Sequence, residues 1–448
     1  MKKVITYGTY DLLHEGHINL LRRAKELGDH LIVGVTSDSF DRGRGKLNVR
    51  NNVLERVAAV KATGYADEII IEDYVGQKID DIQKFGIDIF AIGSDWEGKF
   101  DYLNAYCKVV YLPRTEGISS TMLRAETTAE INIGIIGTGR IAKRFVPESK
   151  YVNGVEITAV YNPELSEANT FAERLGIKGS YDDINSFLEE IDAVYIASPH
   201  LTHYKYIKQA LLFGKHVLCE IPMVLSGDEA RELYELAQMR NLVLLEASKT
   251  AFSPAWNHLL VLVKSGVIGD VMDVKASLSK LVSGDVRELD VNQAGGSMTE
   301  LSSFPLMSIV KLLGTDYVEL NFHSKMVKGI DVFTQGVINY NNATSSITLG
   351  LGVKTEGNLV ISGTKGYVLV PSPWWLTNYF EIRFEDQNLN QKYFYAWQGE
   401  GLRYEIQEFA SMIVQGRGSS YKLSRVESIA IAGIIEEYIK GDRTKILR

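Results

Sequence analysis

The chain contains two strand–glycine turn–helix beginnings, and each resembles the start of a nucleotide-binding parallel sheet. The first is a strand-like run at 3–8 that leads into His14-Glu15-Gly16-His17. The second is a run at 131–137 that leads into Gly139-Arg140-Ile141-Ala142. Phosphates bind at the helix N-termini behind such turns. We therefore expect two nucleotide sites, and 448 residues exceed the roughly 250–300 at which a single core stops growing.

Strand-like runs alternate with helical patterns throughout the first 126 residues, which predicts a parallel sheet covered by helices on both faces. The runs are 3–8, 31–35, 68–71, 87–92 and 107–112. Ligands bind beyond the carboxyl ends of such strands, where the polar segments 8–11, 93–96 and 114–115 fall. We predict an α/β chain whose residues 1–126 form a Rossmann-like domain.

Two segments of this domain carry phosphate chemistry. His14 and His17 present imidazoles at the start of a helix, and Gly16 is expected to let the backbone approach a phosphate. Imidazole donors there would stabilise charge that builds on a phosphoryl group. The segment 114–121 adds a guanidinium fork and several hydroxyls at another helix start. Ordinary helix capping by polar side chains is the alternative interpretation of both segments.

These segments, together with 8–14 and 94–101, resemble the cytidylyltransferase family within the wider nucleotidyltransferase superfamily, and most closely the glycerol-3-phosphate cytidylyltransferases. The resemblance implies that residues 1–126 form a Rossmann-like nucleotidyltransferase domain. The resemblance implies attack of an acceptor phosphate on CTP, release of pyrophosphate, Mg²⁺ as companion of CTP, and His14, His17 and Arg114 as catalytic residues. It implies CTP contacts at Thr9, Tyr10, His14, His17, Lys46, Asp95, Arg114, Thr115, Ser119, Ser120 and Thr121. Arg44 and Lys78 are expected to bind the phosphate of the polyol. Arg44 stands where the family has lysine, so a different polyol phosphate stays open, as does ATP in place of CTP.

The second half begins with a dinucleotide pattern. The strand, glycine turn and helix at 131–146 are followed by strand-like runs at 156–161, 193–197 and 216–220. This alternation predicts an NAD(P)-binding Rossmann domain at 131–250. Asn162 follows the second strand, where an acidic residue is expected to bind the adenosine ribose. No arginine replaces it, so the choice between NAD and NADP stays open.

Several segments resemble the oxidoreductase family typified by glucose-fructose oxidoreductase and inositol 2-dehydrogenase. They are 198–203, 214–220, 245–247, 264–271, 295–297 and 363–367. The resemblance implies hydride transfer between nicotinamide and a sugar-like alcohol or ketone. It implies an α+β domain at 251–448 with a mostly antiparallel open sheet, whose face often forms a dimer, so we expect a homo-oligomer, dimer or higher. Strand-like runs at 272–281, 331–351, 358–362 and 379–384 suit that sheet. The implied cofactor contacts are Gly137, Thr138, Gly139, Arg140, Ile141, Asn162, Ser198, Pro199, His203 and Glu220.

The departures from this family bear on catalysis. Ile221 stands where members carry a lysine, and Phe304 where a histidine or tyrosine is common. One hypothesis is that Lys249, with Glu300, replaces the lost proton donor. The other is that the domain is a catalytically inactive scaffold or nucleotide sensor. His200 and His203 follow a strand and are expected either to contact substrate or to lie in a solvated loop.

Composition excludes several classes of function. A net charge of -8 argues against binding to nucleic acid backbones. The two cysteines, Cys107 and Cys219, form neither a disulfide framework nor a metal motif, so we expect no protein-bound metal. No apolar run approaches the roughly 20 residues of a membrane span, and we expect a cytoplasmic protein. The fusion predicts a bifunctional enzyme whose partners are small molecules: CTP, a polyol phosphate and a keto-sugar. We expect its CDP-polyol product to serve teichoic-acid or capsule synthesis.

Overall fold

The computed structural model describes residues 1–43, 49, 51–74, 76–113, 130–395, 397 and 399–447. The chain divides into two compact units, Met1–Thr127 and Thr128–Arg448. Within the described residues, no helix is both long enough and apolar enough to span a membrane. The predicted boundary at 250/251 inside the second unit stays a prediction.

In its described part, the first unit is a five-stranded parallel sheet with the strand order β3-β2-β1-β4-β5. The strands are β1 Lys3–Gly8, β2 His30–Thr36, β3 Glu68–Glu72, β4 Ile89–Gly93 and β5 Lys108–Leu112. The helices are α1 Glu15–Lys25, α2 Asp38–Gly43, α3 Val53–Ala62 and α4 Gln77–Phe85. Val4 and Ile5 point into separate hydrophobic clusters, one on each face of the sheet. The strand order reverses between β1 and β4, so their carboxyl ends flank the crevice where such sheets bind ligands.

The second unit begins with a six-stranded parallel sheet of order β11-β10-β9-β6-β7-β8. The strands are β6 Ile131–Ile136, β7 Val155–Tyr161, β8 Gly179–Tyr181, β9 Ala193–Ile196, β10 His216–Glu220 and β11 Leu244–Ala247. The helices are α5 Arg140–Ser149, α6 Leu165–Leu175, α7 Ile184–Glu189, α8 His203–Leu212 and α9 Gly227–Met239. Reversal of the order between β9 and β6 places the second crevice behind the glycine turn at 137–139.

A nine-stranded mixed sheet follows, with the order β19-β18-β17-β16-β12-β15-β14-β13-β20. Its strands are β12 Val271–Ser279, β13 Glu319–Val327, β14 Ile330–Asn339, β15 Thr344–Gly350, β16 Leu359–Gly363, β17 Gly366–Val370, β18 Tyr379–Phe384, β19 Gln391–Phe394 and β20 Thr444–Ile446. Its helices are α10 Lys249–Phe252, α11 Pro254–Lys264, α12 Ser297–Leu301, α13 Ser303–Leu313, α14 Leu402–Gln415 and α15 Arg425–Lys440. Two neighbouring pairs, β12/β15 and β13/β20, are parallel and the others antiparallel.

The predicted fold class is confirmed: two Rossmann-like parallel sheets precede a mostly antiparallel one. The predicted run at 331–351 is a hairpin of β14 and β15 with a turn at 340–343. One hydrophobic cluster extends from Phe145 in α5 through Trp256 in α11 to Trp374. The two sheets of the second unit therefore share a core, which fixes the loops between them.

Candidate active sites

In the first unit, His14 is the N-cap of α1. Its Nδ1 accepts a hydrogen bond from the amide of Gly16 at 3.1 Å. A neutral ring whose Nδ1 accepts carries its proton on Nε2, so Nε2–H is a hydrogen-bond donor. Burial lowers the pKa of His14, which favours this neutral form. The Gly16 amide, which we expected to approach a phosphate, is instead engaged by His14.

His17 stacks on His14, with ring centroids 4.0 Å apart and an interplanar angle of 22°. The ring of Tyr10 meets His17 edge-on at 5.5 Å. Tyr10 and Leu12 have φ values of +53° and +47°, in the left-handed region that costs energy for such side chains. Tyr10 is only 1% exposed, so its ring supports His17 from within the fold. Backbone strain of this kind clusters at functional sites, which suits a turn that fixes two imidazoles.

Arg56 of α3 is completely buried and connects the segments around this turn. Its Nη1 donates to the carbonyl oxygens of Thr9 at 2.7 Å and Thr36 at 2.8 Å. Its Nη2 donates to Asp38 at 2.6 Å, and Nη1 lies 3.4 Å from the buried carboxylate of Asp41. Asp41 in turn accepts the Thr9 hydroxyl at 2.9 Å and the Thr36 hydroxyl at 2.5 Å. The predicted contact Thr9 is therefore held by a buried charge network.

Sequence reasoning missed Arg56. It lies on the stripe of α3 that also buries Val53 and Val60. An arginine in the middle of an apolar helical stripe is a detectable signal, because a charge is buried there only when it is paired. That pairing is what the structure contains.

Lys78 was expected to bind the phosphate of the polyol. The structure places it in α4, 8% exposed, in an ion pair with the buried Glu72. Its Nζ lies 4.5 Å from the ring centroid of Tyr7, whose hydroxyl donates to Asp81 at 2.8 Å. A substrate phosphate would have to compete with Glu72 for this ammonium group, and the assignment stays a prediction.

Most of the other predicted residues of this site lie outside the described residues: Arg44, Lys46, Arg114, Thr115, Ser119, Ser120 and Thr121. Asp95 lies in a short turn of 3-10 helix, Ser94–Trp96, directly after β4. Its side chain is also outside the described part.

In the second unit, the two glycines of the 137–139 turn have different roles. Gly137 has φ +102°, and a Cβ there would lie 2.7 Å from the carbonyl oxygen of Ala197. Only glycine therefore allows β6 to end so close to the end of β9. At Gly139 a Cβ would come no nearer to its neighbours than 4.0 Å, so the fold itself does not require glycine.

Gly139 is also the N-cap of α5 and has no side chain to satisfy the first amides of that helix. Arg140 and Ile141 form the first turn, with Arg140 exposed and Ile141 half-buried. Free amides behind an open glycine are the groups that hold a pyrophosphate. The turn therefore fits a dinucleotide.

Asn162 lies at the end of β7 and bridges this turn. Its Nδ2 donates to the Thr138 hydroxyl at 2.9 Å, and its Oδ1 accepts from the Glu164 amide at 2.9 Å. Both ends of the amide are thus used to fix the loop. A ribose here would meet a neutral side chain.

His203, predicted to contact the cofactor, is completely buried. Its Nδ1 lies 3.0 Å from the Pro222 carbonyl oxygen, and its Nε2 lies 2.8 Å from that of Ser198. The side chain therefore links the loops after β9 and β10 and does not face a ligand. In the first loop, which also contains the exposed Pro199, the Ser198 and Thr202 hydroxyls are 2.7 Å apart. His203 holds these loops in position.

Two buried carboxyl groups lie near Lys249. Glu220 accepts a hydrogen bond from the Tyr195 hydroxyl, and burial raises its pKa to about 7. Both carboxyl oxygens of Glu405 in α14 are buried and have no hydrogen-bond partner among the residues that the structure describes, and burial raises its pKa as well. The charge of Lys249 opposes both shifts, while its Nζ donates to the Glu400 carbonyl oxygen at 3.2 Å.

Glu300 in α12 belongs to a separate cluster. Arg287 holds it with two parallel hydrogen bonds of 2.7 and 2.8 Å. Burial raises the pKa of Glu300, and Arg287 acts in the opposite direction. His200 Nδ1 lies 3.6 Å from Glu300 Oε1, and both side chains are 9% exposed. The structure thus brings together two residues that are a hundred positions apart in sequence.

Comparison with known proteins assigns each half. A family model described as cytidylyltransferase-like matches residues 5–126, and one described as oxidoreductase family, NAD-binding Rossmann fold, matches 131–248. The glycerol-3-phosphate cytidylyltransferase of Staphylococcus aureus is 51% identical over 126 residues, 28% of this chain and 95% of that protein.

The second half is similar to the trans-1,2-dihydrobenzene-1,2-diol dehydrogenase of Sus scrofa, which is 27% identical over 325 residues. That alignment covers 69% of this chain and 96% of the relative. A 3-ketoreductase from Actinomadura kijaniata, solved with NADP and TDP-benzene, has the same fold, with a TM-score of 0.63 at 23% identity. It covers 71% of this chain and 100% of its own. The chain is therefore an enzyme that belongs to the cytidylyltransferase family through residues 5–126, and its residues 131–248 match the model of the NAD-binding oxidoreductase family.

Proposed function

We propose that the first unit transfers CMP from CTP to a glycerol phosphate or a similar polyol phosphate. The observation that carries this proposal is the paired imidazoles at the start of α1, in which His14 is fixed as an Nε2–H donor beside His17. The name of the 51% identical relative, glycerol-3-phosphate cytidylyltransferase, supports CTP and glycerol phosphate as the first substrates to test.

In this reaction a phosphate oxygen of the polyol attacks the α-phosphorus of CTP. The bond to the β-phosphate breaks and pyrophosphate leaves. The imidazoles of His14 and His17 would stabilise charge on the phosphoryl oxygens, and no protein nucleophile is required. Mg²⁺ would enter with CTP and neutralise its phosphates.

The test is pyrophosphate release from CTP and Mg²⁺ with a panel of polyol phosphates, and with ATP as the competing nucleotide. His17→Ala should lower the rate about 100-fold or more. Glu15→Gln is the matched control, because Glu15 is exposed between the two histidines. Turnover by the wild type that does not exceed that of His17→Ala would remove this assignment.

We further propose that the second unit reduces a small keto-sugar or its phosphate with NAD(P)H, and that the two units act in sequence. The bound nicotinamide supplies the hydride. The open turn at Gly139 and the uncapped start of α5 would hold its pyrophosphate. Lys249, which lies near Glu220 and Glu405, would supply the positive charge of the lysine that Ile221 replaces.

The product of the reduction would be the polyol phosphate that the first unit joins to CMP, giving a CDP-polyol suited to teichoic-acid or capsule precursors. The names of the dehydrogenase and 3-ketoreductase relatives support chemistry at a hydroxyl or keto carbon. We expect a homodimer formed through the nine-stranded sheet, which light scattering would test.

A coupled incubation with a keto-sugar phosphate, NADPH or NADH, CTP and Mg²⁺ should yield one CDP-polyol per nicotinamide oxidised. Lys249→Ala should lower reduction and leave cytidylyl transfer intact. An unchanged reduction rate would exclude Lys249 from the mechanism. Failure to bind either nicotinamide would support the alternative of an inactive scaffold.

A further inference from the structure

We propose that His200, which faces the Glu300 carboxylate fixed by Arg287, is the catalytic residue that exchanges a proton with the substrate oxygen in the second unit. This inference rests on the proposed oxidoreductase function. Ile221 stands where members of the family carry a lysine, so another residue must transfer this proton.

The position of His200 is suited to this role. It opens a short turn of 3-10 helix, His200–Thr202, four residues beyond the end of β9. That strand end borders the crevice behind the glycine turn, where a dinucleotide is expected. The imidazole is about nine-tenths buried, so it can bind a substrate with little competition from water.

The two ring nitrogens of His200 have different surroundings. Nδ1 is buried and faces Glu300 Oε1 at 3.6 Å, a separation longer than a hydrogen bond, and no other described residue gives it a hydrogen-bond partner. Among the described residues, none forms a hydrogen bond with Nε2. A proton on Nδ1 facing the carboxylate leaves Nε2 with its lone pair available, which is the arrangement of a general base.

Glu300 is fixed in this orientation by Arg287. The two hydrogen bonds of 2.7 and 2.8 Å form a bidentate pair, which restricts rotation of the carboxylate. The carboxylate therefore presents Oε1 to His200 while its net charge is balanced. Glu300 and Arg287 act through His200 and are positioning residues.

The chemistry balances without a further reactant. In alcohol oxidation, Nε2 takes the proton of the substrate hydroxyl. A hydride moves from the carbon that bears this hydroxyl to the oxidised nicotinamide, and the C–O single bond becomes C=O. Reduction reverses both transfers, and the proton is replaced from solvent. Lys249 is less suited to this step, because its Nζ already donates to a main-chain oxygen.

The surroundings of His200 predict a pH dependence. Burial lowers its pKa to about 3; His203 and Arg287 act in the same direction, while Glu288 opposes them and Glu300 faces Nδ1. His200 is therefore neutral from pH 5 to 8. Oxidation needs the neutral ring and should be constant over this range. Reduction needs the protonated ring and should fall about tenfold per pH unit.

The test compares His200→Gln and His200→Ala with His323→Gln in the full chain, and His323 is a half-buried histidine of β13. Cytidylyl transfer and NAD(P)H affinity report on folding. We expect single-turnover rates to fall 10²–10⁴-fold in both His200 variants. Added imidazole should partly restore His200→Ala, and His323→Gln should match the wild type.

Glu300→Gln should lower the rate less than loss of His200, because the base remains. Hydride transfer by His200→Gln at more than a third of the wild-type rate would overturn the inference, as would a reduction rate independent of pH. A wild-type protein that binds nicotinamide yet oxidises and reduces nothing would instead overturn the proposed function itself. These two failures are distinguishable because only the first leaves an active wild type.

Discussion

Replacing Arg56 by methionine should destabilise the first unit strongly. The guanidinium is completely buried and makes short hydrogen bonds to two carbonyl groups and to Asp38. Methionine fills similar space but removes the guanidinium that lies beside the buried carboxylate of Asp41. Breaking a buried ion pair from one side costs about 3–5 kcal/mol. A loss of about 4 kcal/mol changes the ratio of folded to unfolded protein by roughly a thousandfold.

For a unit of this size, that loss should lower the melting temperature by about 10–20 °C. Calorimetry of the full chain should show the shift in the transition of the first unit, while NAD(P)H binding by the second unit stays unchanged. Arg56→Lys keeps the charge but loses the planar fork, so it should fall between the wild type and Arg56→Met. Pyrophosphate release should decrease in the same order, because Arg56 holds the Thr9 carbonyl. A destabilisation of Arg56→Met below about 1 kcal/mol would refute this reasoning.

Three further predictions concern the second unit. Gly139→Ala should leave the melting temperature unchanged and weaken NAD(P)H binding at least tenfold, because the added Cβ meets open space in the fold but would meet the pyrophosphate of the bound cofactor. Calorimetry and fluorescence titration measure the two effects. Gly433→Ala is the matched control, because a Cβ there also meets open space. Asn162→Asp should shift the affinity ratio toward NAD and away from NADP at least tenfold, since a carboxylate accepts from a ribose hydroxyl and repels a phosphate; equal affinities would contradict it. Burial raises the pKa of Glu405 in the folded state. The folded state therefore loses stability as pH rises above the pKa that this carboxyl group has in the unfolded chain. Glu405→Gln should therefore gain stability over the wild type at pH 8 and gain little at pH 5 in thermal melts.

The sequence predicted the parallel sheets well, because their strands are short apolar runs bounded by turn residues. The runs at 3–8 and 216–220 coincide with β1 and β10, and the run at 379–384 coincides with β18 of the mixed sheet. Strands such as β8 and β20 have three residues each, which is too short for any periodicity to be detected.

The sites were less predictable than the sheets. The approach of His200 to Glu300 depends on how the loop after β9 meets α12, and no local pattern encodes a contact across a hundred residues. His203 was predicted to contact the cofactor, yet its imidazole is used inside the fold. The local sequence does not distinguish a loop histidine that contacts a ligand from one that forms hydrogen bonds within the fold. Arg56 was the one hidden residue with a local signal, its place on an apolar stripe.

The hydrogen bond between Gly16 and His14 makes the imidazole an extension of α1. The amide at the helix start polarises the ring, so the partial positive charge of the helix end reaches Nε2–H about one ring width further out. A substrate phosphate would then sense the helix through a rigid, directional donor. A lysine at position 14 would supply more charge, but it would leave the Gly16 amide without its acceptor and would point its charge in no fixed direction.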